Sequence, residues 1–184
     1  MKSIVRSTAI VSLACSAWIT AANSPAASAG EEPAAAPYYR FLGKWQGQSD
    51  LSETGNTPIK LVVSLSCRKV SLGSGVACEM TGKNNSMQIA ESDLFGVDPV
   101  TGQGHWYAVT NQGETHDHLA EWSDANTMKA HYDWAQDGKR MKESIEFRFQ
   151  GKNAVTFRSI VSADGKPAGE FSGSMKALMS SASR

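Results

Sequence analysis

The sequence predicts an all-β fold, a single antiparallel up-and-down β-barrel of about ten strands. Three observations carry this expectation. Several segments alternate apolar and polar residues with period two, the signature of a half-buried strand. Turn dipeptides separate these segments at short intervals: Ser74-Gly75, Gln112-Gly113, Asp137-Gly138, Gly151-Lys152 and Asp164-Gly165. Amphipathic helical spacing is missing from residues 38–180, apart from a turn or two near Tyr38–Leu42. A long meander exposes two edges unless it closes on itself, and closure removes them. A two-sheet sandwich is the alternative, but it needs long crossovers that the chain does not offer.

The strands expected in chain order are 43–50, 59–70, 75–82, 86–95, 104–111, 114–122, 127–134, 139–150, 153–162 and 169–177. In the second, Ile59, Leu61, Val63, Leu65 and Cys67 share a face opposite Lys60, Ser64 and Ser66. In the seventh, Met128, Ala130, Tyr132 and Trp134 oppose Lys129, His131 and Asp133. The eighth sets Met141, Ile145, Phe147 and Phe149 against Lys142, Glu146 and Arg148.

Ahead of the strands, Lys2 and Arg6 precede an uncharged, mostly apolar run from Ser7 to Ala22, and Ala27-Ser28-Ala29 follows Pro25. That order reads as a secretory signal peptide over residues 1–29, cleaved before Gly30. The run is diluted by serine and threonine, which argues against a membrane span. A lipoprotein signal ending at Cys15 is the rival reading. Residues 30–37 read as a flexible linker and 38–180 as the barrel. The expected address is the periplasm or beyond, with no membrane association after cleavage. The 18 basic and 18 acidic residues balance, and no basic stripe appears, so nucleic acid is not an expected partner.

Of the three cysteines, cleavage would remove Cys15 and leave Cys67 and Cys78. A turn at Leu72-Gly73 puts these two directly opposite each other on adjacent strands, close to the spacing a disulfide needs. An oxidising compartment favours the bond. Its role is structural, since no C-x-x-C is present.

The four histidines lie between residues 105 and 131. If Gln112-Gly113 and Asp124-Ala125 centre their turns, His118 opposes Tyr107 and His131. One sheet face then gathers His105, His116, His118, His131 and Asp133, and the apolar opposite face marks it as the outer wall. Imidazole suits zinc, copper or nickel, so a metal site on this outer patch is one expectation, with zinc as its candidate ion. A register slip of one residue would turn the cluster inward. The same pairing places Asp117, Tyr132 and Glu143 in a row on the core side, with Glu121 nearby. Buried carboxylates need water or partners, so this row implies a hydrated cavity or a satisfied network. Trp106, Trp134, Phe147 and Phe157 share that side.

Two motifs add a resemblance. Phe41-Leu42-Gly43-Lys44-Trp45-Gln46-Gly47 resembles the G-x-W opening of lipocalins and their calycin relatives, in which the Trp plugs the closed end of the barrel. Three further runs, Gly96-Val97-Asp98-Pro99-Val100-Thr101-Gly102, His105-Trp106-Tyr107 and Asn111-Gln112-Gly113-Glu114, resemble an exported bacterial lipocalin-like family of unknown function. The resemblance spans most of residues 41–177. It implies the barrel fold more than a function. Residues 50–58 are too few for the two-helix lid of fatty-acid-binding proteins. Phe171–Met175 lacks the haem-ligating His of the nitrobindin-like branch, which argues against haem by that route.

The function expected is therefore an exported barrel that holds a small, partly apolar molecule. Its expected site residues are Trp106, Asp117, Tyr132, Trp134, Glu143, Phe147 and Phe157, and no cofactor is required. A metal-binding protein using the outer histidines is the alternative, and an interaction module a third. No G-x-S-x-G or phosphate-binding loop points to an enzyme.

Overall fold

The computed structural model describes residues 33–178. The expected signal peptide, residues 1–29, and Cys15 lie outside the described residues. Ten strands follow in order: β1 Gly43–Glu53, β2 Ile59–Val70, β3 Gly75–Lys83, β4 Gln88–Val97, β5 Gly104–Thr110, β6 Thr115–Asp124, β7 Thr127–Gln136, β8 Lys139–Gln150, β9 Ala154–Ala163 and β10 Lys166–Ala177. Each pairs antiparallel with its sequence neighbours, and β1 also pairs with β10, which closes the barrel. Every strand is thus hydrogen-bonded on both sides, so the sheet has no free edge. Among the described residues, no helix is long and apolar enough to cross a membrane.

A 3-10 helix, Ala36–Phe41, caps one end. Ala35 just before it is already buried, so the packed chain reaches back into the segment read as linker. Tyr38, Phe41 and Trp45 are nearly inaccessible, and the Trp45 indole donates to the Phe41 carbonyl at 2.7 Å. Phe41 stacks on Phe95 and meets Phe147 and Phe149 edge-on. The G-x-W tryptophan therefore sits in an aromatic plug at the closed end. Gly104 is required there, because a Cβ at this position would lie 2.2 Å from the Tyr38 hydroxyl.

Cys67 pairs with Cys78 across β2 and β3, as the hairpin register predicts, and the two form a disulfide. Closing so short a loop contributes ~2–3 kcal/mol. The β7–β8 hairpin also has the expected register, with Tyr132 opposite Glu143. Its two-residue turn, Asp137-Gly138, has both residues at positive φ, as the twist of a tight hairpin demands.

The β5–β6 register differs from expectation by one residue. The turn is a three-residue loop, Asn111-Gln112-Gly113, closed by bonds between Thr110 and Glu114 and between Gly113 and Thr110. Gly113 takes the left-handed conformation that such loops need. Trp106 consequently opposes His118, and Ala108 opposes His116. A second irregularity near Ser123 shifts β6 against β7, so that Leu119 rather than His118 opposes His131. Side chains alternate faces along a strand, so these shifts turn His116 and His118 inward and Asp117 outward.

Candidate functional site

The barrel interior contains a cavity of about 690 Å³, reached from the end opposite the plug. Its mouth is framed by Glu53, Thr54, Gln112, Glu114 and Ala168, which lie at or near the hairpins of that end. Its walls are largely apolar, with Val63, Leu65, Ile145, Phe147 and Phe157 among them.

Across this apolar barrel runs a belt of ionisable groups. His118 is 2% exposed, and its ring stacks on Trp106 with centroids 4.7 Å apart. Its Nδ1 lies 3.3 Å from the Trp106 carbonyl oxygen, and its Nε2 lies 2.9 Å from Glu143 Oε2. Ser159 donates to the other Glu143 oxygen at 2.5 Å. Burial alone would raise the Glu143 pKa. The bonds to His118 and Ser159, with the nearby imidazoles, outweigh that and hold it below its ordinary value. His116 Nδ1 is 3.8 Å from Glu143 Oε2. The His116 ring lies parallel to Tyr132 and Trp134.

β4 supplies two further acids. Asp93 is buried and accepts a 2.6 Å bond from the Trp106 indole. Glu91 stands two residues nearer the mouth. Burial first, then the Asp93 charge, its hydrogen bond to Asp93 and the Glu143 charge push the Glu91 pKa up to about 9. Glu91 is therefore protonated at neutral pH, and burial also raises the pKa of Asp93 beside it. Trp106 connects the two halves of the belt: its indole holds Asp93 and its ring face holds His118.

This order of groups limits the chemistry. In a nucleophilic triad the imidazole stands between hydroxyl and carboxylate and takes the hydroxyl proton. Here Glu143 stands between Ser159 and His118, so Ser159 does not meet the imidazole as a triad hydroxyl does and anchors the carboxylate.

The structure brings Trp106, Trp134, Glu143, Phe147 and Phe157 together around the cavity, and Tyr132 beside them against His116 and His118. Asp117 does not join them. It is on the outer wall, its side chain 54% exposed and paired with His105 at 3.0 Å, because the β5–β6 loop holds one residue more than a two-residue turn. Glu121 is likewise exposed. The four histidines do not share a face: His105 and His131 point out, whereas His116 and His118 point in. The expected outer metal patch is thereby divided between the two sides of the wall. Sequence reasoning missed Glu91, Asp93 and Ser159. Their signal is parity, since Glu91 and Asp93 alternate in step with Ile89 and Phe95, and Ser159 with Val155 and Phe157.

No family model matches the chain, and no curated protein matches it by sequence. Solved structures do resemble it. Rv2717c from M. tuberculosis superposes with a TM-score of 0.64 at 12% identity, over 80% of this chain and 99% of that one. The S-type phycobiliprotein lyase CPES from Guillardia theta gives 0.53 at 13%, over 78% and 91%. A protein of unknown function from the DUF3598 family of Nostoc punctiforme gives 0.52 at 10% over 82% of this chain, which spans about half, 53%, of that longer one. At such identities the likeness concerns the fold alone, here one closed antiparallel β-barrel.

Proposed function

We propose that this protein is exported and holds a small, partly apolar molecule inside the barrel, its polar end against the Asp93–His118–Glu143 belt. The observation that carries this reading is the cavity of about 690 Å³, with apolar walls around buried ionisable groups. That volume lies within the usual range for small-molecule sites, as does the combination of apolar lining and a few convergent polar groups. Ionisable side chains are costly to bury, and three acids in the interior, two on β4 and one on β8, destabilise an empty barrel. A bound molecule that completes their hydrogen bonds offsets that cost. The matched pair Cys67–Cys78 is compatible with an oxidising compartment.

Trp106 and Trp134 line the cavity and report on its contents. Titration with medium-chain alcohols, amines and carboxylates, and with aromatic equivalents, is expected to quench or shift tryptophan emission for at least one class. Glu143→Gln is expected to weaken that class about tenfold, the value of a hydrogen bond to a charged group. A flat response to every class sinks the interior-ligand reading. For export, the intact mass of the chain secreted by a bacterial host should correspond to a start at Gly30, and retention of Met1 overturns that half.

A further inference from the structure

We propose that His116, His118 and Glu143 form a transition-metal site inside the barrel, with open coordination positions facing the cavity. One nitrogen from each imidazole and one Glu143 oxygen lie within 4.8 Å of one another. Two protein nitrogens and one carboxylate oxygen are the donor set of open, three-ligand metal centres, in contrast to the closed four-ligand sets of structural zinc.

The surroundings fit a cation at this point. His118 Nδ1 lies 3.3 Å from the Trp106 carbonyl oxygen and Nε2 lies 2.9 Å from Glu143 Oε2, so the ring turns one nitrogen to the backbone and the other to the carboxylate. The Nε2 nitrogen ligates a metal once it bears no proton. Metal–nitrogen and metal–oxygen bonds of ~2.0–2.2 Å put ligand atoms roughly 3.3 Å apart. The present separations from Glu143 Oε2 are 2.9 Å to His118 and 3.8 Å to His116, on either side of that value.

Supporting groups are also in place. A ligating histidine characteristically gives its other N–H to a carbonyl or carboxylate, and a ligating carboxylate is itself hydrogen-bonded. Here the Trp106 carbonyl orients His118, and Ser159 anchors the second Glu143 oxygen. Tyr132 and Trp134 pack together beside His116. With no sulfur ligand, the site suits zinc, cobalt, nickel or ferrous iron.

The ion binds with no organic guest present, so this proposal and the cavity reading can fail separately. The test is titration of the full chain with Co²⁺, followed by its visible ligand-field absorption, then displacement by Zn²⁺ and calorimetry. The expected result is one ion per chain. Affinity should fall at least tenfold in His116→Gln and in Glu143→Gln, and stay unchanged in His105→Gln and His131→Gln. His116 is only partly buried, so its variant decides the matter if Glu143→Gln fails to fold, with circular dichroism as the check. Absence of one-to-one binding, an unchanged affinity in His116→Gln, or an equal loss in His131→Gln overturns the proposal.

Discussion

The two ends of the barrel interior are built by the same strands and made of opposite chemistry. Along the inward face of β4, Phe95 gives way to Asp93 and then Glu91 toward the mouth. Along β6, Trp122 and Ala120 give way to His118 and His116. On β8 the series is Phe149, Phe147, Ile145 and Glu143, and on β9 Val155, Phe157 and Ser159. Each strand alternates in the same way throughout, so alternation alone keeps both halves inward. What changes is the content of that face, from rings that need no partner to groups that must find one. The closed end is the part that holds the barrel together, and the belt is the part that carries a burial cost.

If that division is right, truncation in the plug should give the largest loss of stability. Phe41 is almost fully buried and contacts Phe95, Phe147 and Phe149. Phe41→Ala is expected to cost ~3–5 kcal/mol, the usual result for a core aromatic. Urea unfolding measures it. A loss under about 1 kcal/mol, within the range of surface substitutions, would mean that the plug is dispensable and the contrast between the ends is false.

The belt should respond in the other direction. Glu91 titrates at about 9 in the folded chain, against an ordinary value of 4.5. Between these pH values the folded state retains a proton that the unfolded state releases. Stability from this group is therefore full below about pH 4.5 and declines as pH rises toward 9. Glu91→Gln removes that decline and should stabilise the protein at pH 8 by up to about 4–5 kcal/mol, the most that this shift supplies at that pH, while leaving it almost unchanged at pH 4.5. Some slope should survive, because Asp93 is raised by its own burial. Unfolding curves at pH 4.5, 6.5 and 8 give the answer. Equal slopes in both proteins would show that Glu91 is not a cost to the fold.

The sequence was legible where turn chemistry admits one register. Asp137-Gly138 is a two-residue turn and sets Tyr132 against Glu143. The β2–β3 hairpin sets Cys67 against Cys78, and the disulfide is consistent with that register alone. Legibility failed at Gln112-Gly113. A left-handed glycine can close a two-residue or a three-residue loop, and the two differ by one residue and therefore by a whole face. That slip, with the second one near Ser123 between β6 and β7, misplaced Asp117 and the inner histidines. Glu91 and Asp93 were missed for another reason. In β4 the pattern Ala90, Ser92, Leu94 is as plausible a core face as Ile89, Glu91, Asp93, Phe95, and only packing against the plug through Phe95 decides between them.

The smallest expected effect tests that register most directly. Asp117 and Glu143 are both carboxylates within bonding reach of a histidine, yet one pair is on the outer wall and the other inside. An exposed pair of this kind contributes little, because water and salt screen it and two mobile side chains must be ordered to form it. Asp117→Asn should therefore change stability by no more than ~0.5 kcal/mol, with no effect on tryptophan emission from the cavity. Had Asp117 stood opposite Tyr132 in the interior, the same substitution would replace a buried charge with a neutral isostere, and both readouts would move. A shift above ~1 kcal/mol, or any change in emission, would restore the two-residue turn and return His118 to the outer wall.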